Sequence, residues 1–186
     1  MSPRHSTTLA IEHVLLALLD SRSMHGYELY QELCALPGIS LVWNLKQAML
    51  YAILDKLEGN GLLSSQLARG ESYPPRRNFQ LTAEGKLALE TWIQTPVRRA
   101  RYLRQEFLAK LIIARRYRQD TARELIRLQE QACHAWLAEL ETALAALAPD
   151  QVDEWIVVSY RIQRLLSALT WLKACAVEID RPVHQG

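Results

Sequence analysis

The segment from residue 45 to residue 85 constrains the fold of this chain most, because it is typical of a helix followed by a hairpin. Four apolar residues in its first part are spaced so that they fall on one side of a helix: Leu50, Ile53, Leu54 and Leu57. A Gly-Asn-Gly sequence follows, and these residue types tolerate the left-handed conformation in which helices often end. We therefore predict a helix from about Lys46 that ends at these glycines.

A short hairpin is predicted after this helix. Leu63 and Leu67 lie on one side of a weak strand pattern, and Phe79 and Leu81 alternate with polar residues in the return strand. The loop between the two strands is polar and contains two consecutive prolines. A helix followed by a hairpin with basic residues at its tip is typical of a winged helix-turn-helix, which indicates a nucleic-acid partner.

Two motifs in this segment, and the sequence His-Gly-Tyr-Glu-Leu at residues 25–29, resemble the PadR family of bacterial transcriptional regulators. The motifs are Tyr51-x-x-Leu54-x-x-Leu57-Glu58-x-x-Gly61-Leu62 and Arg76-Arg77-x-Phe79-x-Leu81-Thr82-x-x-Gly85. The resemblance begins near Leu15 and continues more loosely into the C-terminal half. It implies a dimeric winged-helix repressor, of a kind that a small molecule often releases from its operator.

Composition indicates a soluble globular protein, since 49% of the 186 residues are hydrophobic and 23% are charged. No apolar run approaches the roughly 20 residues of a membrane span, and the N-terminus lacks the apolar core of a signal peptide. Three widely separated cysteines favour a reducing, cytoplasmic location. The net charge is only +2, so a DNA-binding surface must arise from local clusters of basic residues.

The predicted fold is mainly α, with two domains. Residues 1–95 form a winged helix-turn-helix domain with a small β-hairpin wing, and Thr82 is a suitable N-cap for the helix after the wing. The boundary is placed at Thr95-Pro96, because proline disfavours helix at the preceding residue. Residues 96–186 form an all-helical dimerisation and effector domain, in which Thr121 and Glu124 are predicted to form a capping box.

The last predicted helix, from about residue 151 to residue 179, is apolar over most of its girth. A helix of this kind must be covered on several sides, and a second subunit is the natural cover for what one protomer leaves exposed. The predicted dimer interface consists of apolar residues on two rows of this helix: Trp155, Val158, Ile162, Leu165, Leu166, Leu169 and Leu172.

Candidate DNA-binding residues lie on the helix that begins near Lys46 and on the wing. They are Lys46, Gln47, Tyr51, Lys56, Arg69, Arg76 and Arg77. Glutamine suits adenine, alanines such as Ala48 and Ala52 allow close approach to a groove, and arginine suits phosphate. Asp55 on the same face would repel phosphate unless it accepts from cytosine or pairs with a basic side chain. The alternative is a protein-interaction winged helix whose hairpin arginines are merely solvated.

Two further features of the sequence can each be interpreted in two ways. A basic run at Arg98, Arg99, Arg101 and Arg104 is either a solvated helix face with carboxylate partners such as Glu106 or an additional DNA contact. Aromatic residues in the C-terminal half are either core or the lining of an apolar effector pocket between the domains or at the dimer interface.

The sequence lacks the motifs of catalysis, metal binding and nucleotide binding. It has no CxxC, HxxxH or HExxH spacing, no GxGxxG, no GxxxxGK[ST] and no GxSxG. We therefore expect no enzyme activity, no metal and no cofactor. The predicted function is a sequence-specific DNA-binding repressor, a homodimer that binds an operator in double-stranded DNA and is released by a small apolar or aromatic effector. The alternative is an adaptor that binds protein through its winged helix and dimerises through its C-terminal helices.

Overall fold

The structure is a computed structural model that describes residues 9–43, 45–68 and 76–181, except for the side chains of Ala68, Arg76 and Gln119. The predicted fold class is confirmed: the chain is mostly helical, with a small antiparallel sheet. It divides into two compact units. The first takes the chain up to Ile93 together with Arg104–Ile113, and the second takes Gln94–Leu103 and the chain from Ala114 onward.

Up to Gln94, the described residues form five helices and three strands, which make up most of the first unit. They are α1 Ala10–Leu19, β1 Met24–His25, α2 Gly26–Ala35, α3 Ile39–Val42, α4 Gln47–Gly59, β2 Leu63–Ala68, β3 Arg76–Leu81 and α5 Ala83–Gln94. The core lies around α1, whose residues from Ile11 to Leu19 are all buried. The predicted buried face of α4 is confirmed, because Leu50, Leu54 and Leu57 are fully inaccessible to solvent.

Helix α4 ends in a backbone arrangement that Gly61 makes possible. Gly61 has φ 75°, the left-handed region predicted for the end of this helix. The Leu62 N–H donates to the Leu57 carbonyl and the Gly61 N–H donates to the Glu58 carbonyl, each at 2.9 Å. This is the Schellman pattern, which satisfies carbonyls that would otherwise lack partners. The turn leads the chain directly from α4 into β2.

The sheet has the strand order β1-β3-β2, and all neighbours are antiparallel. The sequence predicted the β2-β3 hairpin and missed β1, a strand of two residues in which Met24 pairs with Phe79. Thr82 caps α5 as predicted, since its Oγ1 accepts from the Gly85 N–H at 3.0 Å. Gly85 must lack a side chain there, because a Cβ would lie 2.1 Å from the Leu62 carbonyl oxygen.

A 3-10 turn at Ala100–Arg104 precedes α6, Glu106–Tyr117, and the second unit is built mainly on α7, Gln119–Ala145, and α8, Val152–Glu178. The two long helices are antiparallel, since Arg123 near the start of α7 binds Asp180 just beyond α8 at 2.8 Å. The predicted capping box is wrong. Helix α7 begins at Gln119, before Thr121, and the Glu124 carboxylate binds Arg127 at 2.6 Å instead of a backbone N–H.

None of the helices in the described part of the chain is both long enough and apolar enough to cross a membrane.

Candidate nucleic-acid interface

Helix α4 presents a polar and small-residue face to solvent, opposite its buried leucines. Lys46 is the N-cap residue and Gln47 opens the helix, and both side chains are exposed. Ala48, Ala52 and Asp55 follow on this face and are also exposed. The face that the sequence predicted to meet a nucleic acid is therefore exposed to solvent in the first unit. Its alanines leave room for a groove wall, and its first turn carries the two long polar side chains.

Tyr51 on this face is seated against the start of α2. A Cβ placed on Gly26 would lie 2.5 Å from a ring carbon of Tyr51, so the ring occupies the space that a side chain at residue 26 would need. Tyr51 is still 38% exposed. Gly26 belongs to the His-Gly-Tyr-Glu-Leu sequence, but sequence reasoning assigned it no role. The structure gives it one, because the absence of a side chain at residue 26 leaves the space that the Tyr51 ring occupies.

Lys56 has a partner inside the first unit. Its Nζ lies 2.7 Å from Glu12 Oε1, and the Glu12 side chain is 1% exposed. A buried carboxylate is costly unless it is paired, so Lys56 offsets the cost of burying Glu12 and ties α4 to α1. Among the described residues, Glu12 Oε2 has no hydrogen-bond partner. The contact of Lys56 with DNA stays a prediction, and the ion pair gives this residue a structural role besides.

Arg77 fixes the wing to the exposed side of α4. Its guanidinium donates to Asp55 Oδ1 at 2.7 Å, to Glu58 Oε2, and through Nε to Ser65 Oγ at 3.3 Å. It also lies over the Phe79 ring, with 4.8 Å between the guanidinium carbon and the ring centroid. The hydrogen bond to Asp55 is the main cause that raises the pKa of Arg77 above its ordinary value. Of the alternatives for Asp55, the structure shows pairing with a basic side chain.

The other wing arginines are only partly covered by the structure. Arg69 lies outside the described residues. Arg76 opens β3, where its backbone pairs with Ala68, and its side chain lies outside the description. Their contacts with phosphate stay predictions.

The seven residues of the predicted dimer interface fall into two groups. Ile162, Leu165, Leu169 and Leu172 are buried within the protomer, so their apolar character needs no second subunit. Trp155 is 54% exposed and Leu166 is 40% exposed, while Val158 is half-buried. Further apolar side chains on α8 are exposed as well, including Ile156, which is 54% exposed.

The basic run after the predicted domain boundary lacks the carboxylate partners that we predicted for a solvated helix face. Within the described part of the chain, Arg98, Arg99 and Arg104 have no ion pair, and Glu106 binds Lys110 at 3.0 Å instead. The described residues also contain no group of three or more His, Cys, Asp or Glu side chains placed to hold a metal ion.

The first unit has the architecture of a winged helix-turn-helix protein. Its three-stranded sheet lies with α1, α2 and α5, and the hairpin of this sheet is fixed to the exposed side of α4. The sequence model of the transcriptional regulator PadR-like family matches residues 15–91. The winged-helix part of the chain is therefore similar to the PadR-like family of transcriptional regulators, and the resemblance carried by its motifs is confirmed.

Individual relatives cover nearly the whole chain. The chain is 21% identical to the negative transcriptional regulator PadR of Bacillus subtilis (strain 168) over 184 residues, which are 92% of this chain and 98% of that protein. Among solved structures it is similar to Bacillus subtilis PadR in complex with operator DNA, at 18% identity over 92% of this chain and 100% of that chain, with a TM-score of 0.45. It is also similar to Bacillus subtilis PadR in complex with p-coumaric acid, at 19% identity over 93% and 100% of the two chains, with a TM-score of 0.41.

Proposed function

We propose that this chain is a sequence-specific DNA-binding transcriptional regulator that acts as a homodimer in the cytoplasm and has no enzyme activity. The observation that carries the proposal is the exposed face of α4 with the wing held beside it by Arg77. The match of residues 15–91 to the model of a family of transcriptional regulators supports it. In a winged helix of this kind, one helix enters the major groove and the hairpin reaches the flanking backbone.

The first turn of α4 supplies the base-reading contacts in this proposal. Gln47 pairs with adenine, Lys46 and Tyr51 bind phosphate, and Ala48 and Ala52 let the helix approach the groove. Arginines of the wing bind the flanking phosphates, which positions the protein without reading sequence. The net charge of +2 makes these local contacts decisive.

The homodimer is proposed to form on the side of α8 that the protomer leaves exposed. Trp155 and Leu166 are large apolar side chains on this side, and each is at least 40% exposed. Exposed apolar side chains that lie together on a helix are typical of an interaction site. Two copies related by a twofold axis would place two α4 helices on half-sites about one helical turn apart.

Repression and its release by a small molecule complete the proposal. The curated relative is named a negative transcriptional regulator, which supports repression. An effector acts by binding one arrangement of the two α4 helices better than another, so that the affinity for the operator changes by that difference.

Selection of DNA fragments bound from the source genome tests this function. We expect a common sequence with twofold symmetry to be enriched, and affinity for it to fall steeply as salt concentration rises, because bound phosphates release counterions. Enrichment of no sequence, together with salt-insensitive binding to a protein partner, would show the adaptor instead.

A further inference from the structure

The second unit contains an open cleft of about 600 Å³. One wall comes from α7, where Trp136, Glu139 and Leu140 occupy one face, and another comes from α8, where Arg161, Arg164 and Leu165 do the same. The segment before the 3-10 turn and its start, residues 98–101, closes a third side. The volume falls within the range of roughly 300–1,000 Å³ that small-molecule sites have.

The cleft is strongly positive. Five arginines line it, Arg98, Arg99, Arg101, Arg161 and Arg164, against the single carboxylate of Glu139, so the lining carries 5 − 1 = +4. Within the described part of the chain, none of the five has an ion-pair partner. Like charges around one concavity repel each other, and a bound anion would remove that repulsion. Guanidinium groups bind carboxylate and phosphate with two parallel hydrogen bonds, which makes arginine the side chain best suited to such a ligand.

The floor of the cleft is apolar. Leu140 and Leu165 are buried beneath it, and Trp136 is half-buried with an indole ring that offers a flat surface. Aromatic ligands stack on such rings, and arginine planes add to the stacking. We propose that this cleft binds an aromatic anion that carries at least two negative charges, with its ring on Trp136 and its anionic groups on Arg161 and Arg164.

The position of the cleft on α8 separates it from the proposed dimer surface. At about 100° per residue, Arg161 and Arg164 lie on the side of α8 opposite the one centred on Trp155 and Leu166. A second copy on the apolar side would therefore leave the cleft open. Its concave shape and apolar floor also favour a small ligand over the convex, uniformly charged backbone of a DNA duplex. Control of DNA binding by this ligand rests on the proposed function, whereas binding of the ligand itself does not.

Calorimetric titration of the full-length protein in the absence of DNA tests the site with three probes. They are benzene-1,3,5-tricarboxylate, which has both the ring and the charges, propane-1,2,3-tricarboxylate, which lacks the ring, and benzoate, which has one charge. We expect the first to bind saturably, with one molecule per chain, and about tenfold tighter than either of the others. Benzoate lacks charged hydrogen bonds that are each worth about this factor, and the aliphatic tricarboxylate lacks the ring that stacks on Trp136.

Substitutions locate the binding. Arg161→Gln and Arg164→Gln should each weaken the aromatic tricarboxylate by about tenfold or more. Arg116→Gln, which removes the same charge from an exposed side chain outside the cleft, should leave binding unchanged. Glu139→Gln removes the one negative charge of the lining and should tighten binding, so the test does not depend on variants that lose affinity.

Three results would overturn the proposal. One is the absence of saturable binding of the aromatic tricarboxylate to the wild-type protein. Another is equal affinity for the aromatic and aliphatic tricarboxylates, which would remove the role of Trp136. The third is a change of oligomeric state in Arg161→Gln, seen by sedimentation, with no probe bound to the wild type, because the arginines would then hold acidic side chains of a second copy.

Discussion

Tyr51, on the helix that we assign to DNA binding, lies directly against Gly26. The Tyr51 ring occupies the space beside Gly26, and its hydroxyl lies 3.0 Å from the position of an added Cβ. This contact cannot be predicted from the spacing of apolar residues, because Gly26 and Tyr51 are 25 positions apart and meet only when α2 packs near α4. The local sequence identifies Tyr51 as exposed and polar, but not what holds it in place.

Substitution of Gly26 by alanine tests this contact. We expect Gly26→Ala to displace the Tyr51 ring, which can move at modest cost because it is the outer end of a side chain, and to weaken operator binding while the protein stays folded. Gly59→Ala is the matched control, since a Cβ at Gly59 meets nothing within 4 Å. Fluorescence anisotropy with operator DNA measures the affinity, and circular dichroism measures the fold. Equal affinities of the two variants would show that the seating of Tyr51 has no role.

His13 gives the first unit a pH-dependent stability. The imidazole is buried and stacks on Trp92, with 4.6 Å between ring centroids. Burial is the main cause that lowers the pKa of His13 from 6.5 to about 4, while a hydrogen bond to the Leu9 carbonyl acts in the other direction. Between these two values the unfolded chain binds a proton that the folded chain does not. The free energy of unfolding is therefore highest above pH 6.5 and falls as the pH decreases toward 4.

The expected loss is about 3 kcal/mol at most, from the size of the pKa shift of His13. Urea unfolding at a series of pH values measures it. His13→Phe, which keeps a ring on Trp92, should remove this part of the pH dependence, whereas His134→Phe changes an exposed histidine and should keep it. If His13→Phe retained the full pH dependence between 6.5 and 4, the loss would come from other groups.

At the scale of elements, the sequence predicted those helices and strands whose apolar spacing can be recognised within one short segment. The spacing of Leu50, Ile53, Leu54 and Leu57 predicted α4 and its buried face, and the structure begins the helix at Gln47, one residue after the predicted start. Strand β1 and helix α3 were missed, since two and four residues are too few to show a period. Strand β1 exists only because Met24 pairs with β3, and such pairing leaves no trace in the local sequence.

The contact between the wing and α4 could not be predicted from the sequence either. Arg77 and Asp55 are 22 residues apart, and only the path of the chain through β2 and back along β3 brings them together. From the sequence, Arg77 was predicted to bind phosphate, and Asp55 was predicted either to accept a hydrogen bond from cytosine or to pair with a basic side chain. The ion pair supplies an anchor that holds the wing against α4, and the guanidinium retains further N–H groups for a phosphate.

Arg77→Ala distinguishes the phosphate contact from the anchor. If Arg77 is a phosphate ligand, its removal should weaken binding to operator and to unrelated DNA by similar factors. The log–log salt dependence should then become shallower by about 0.9 for each phosphate that the dimer no longer neutralises. Asp55→Ala is the control, because it removes an anchoring partner and leaves the cation. A salt slope that Arg77→Ala does not change, with DNA binding equally weakened in Asp55→Ala, would make Arg77 an anchor alone.

At the scale of the whole molecule, the proposed function requires a second copy of the chain. Helix α8 buries Ile162, Leu165, Leu169 and Leu172 within its own unit and leaves other large apolar side chains in water. The sequence predicted that this helix needs cover on several sides. It did not separate residues covered by the protomer from those left for a partner, because that separation depends on where α7 packs.

Leu166→Asp tests the proposed dimer. A charge placed in an apolar interface is costly unless it is paired, so we expect this variant to be monomeric at low micromolar concentration and to lose operator affinity with it. Val157→Asp places the same charge on the opposite side of α8, at a residue that is 56% exposed, and should stay dimeric. Sedimentation of both variants decides the matter, and a dimeric Leu166→Asp with full DNA binding would place the interface elsewhere.

The central claim is that α4 reads DNA sequence, and the affinity of Gln47→Ala for two duplexes tests it most directly. Titrations against the selected operator and against a scrambled duplex of the same length, at several salt concentrations, separate base reading from backbone contact. We predict a loss of about 1–3 kcal/mol on the operator, relaxed preference at one base pair of each half-site, and little change on the scrambled duplex. Equal losses on both duplexes, or no loss on either, would contradict the claim.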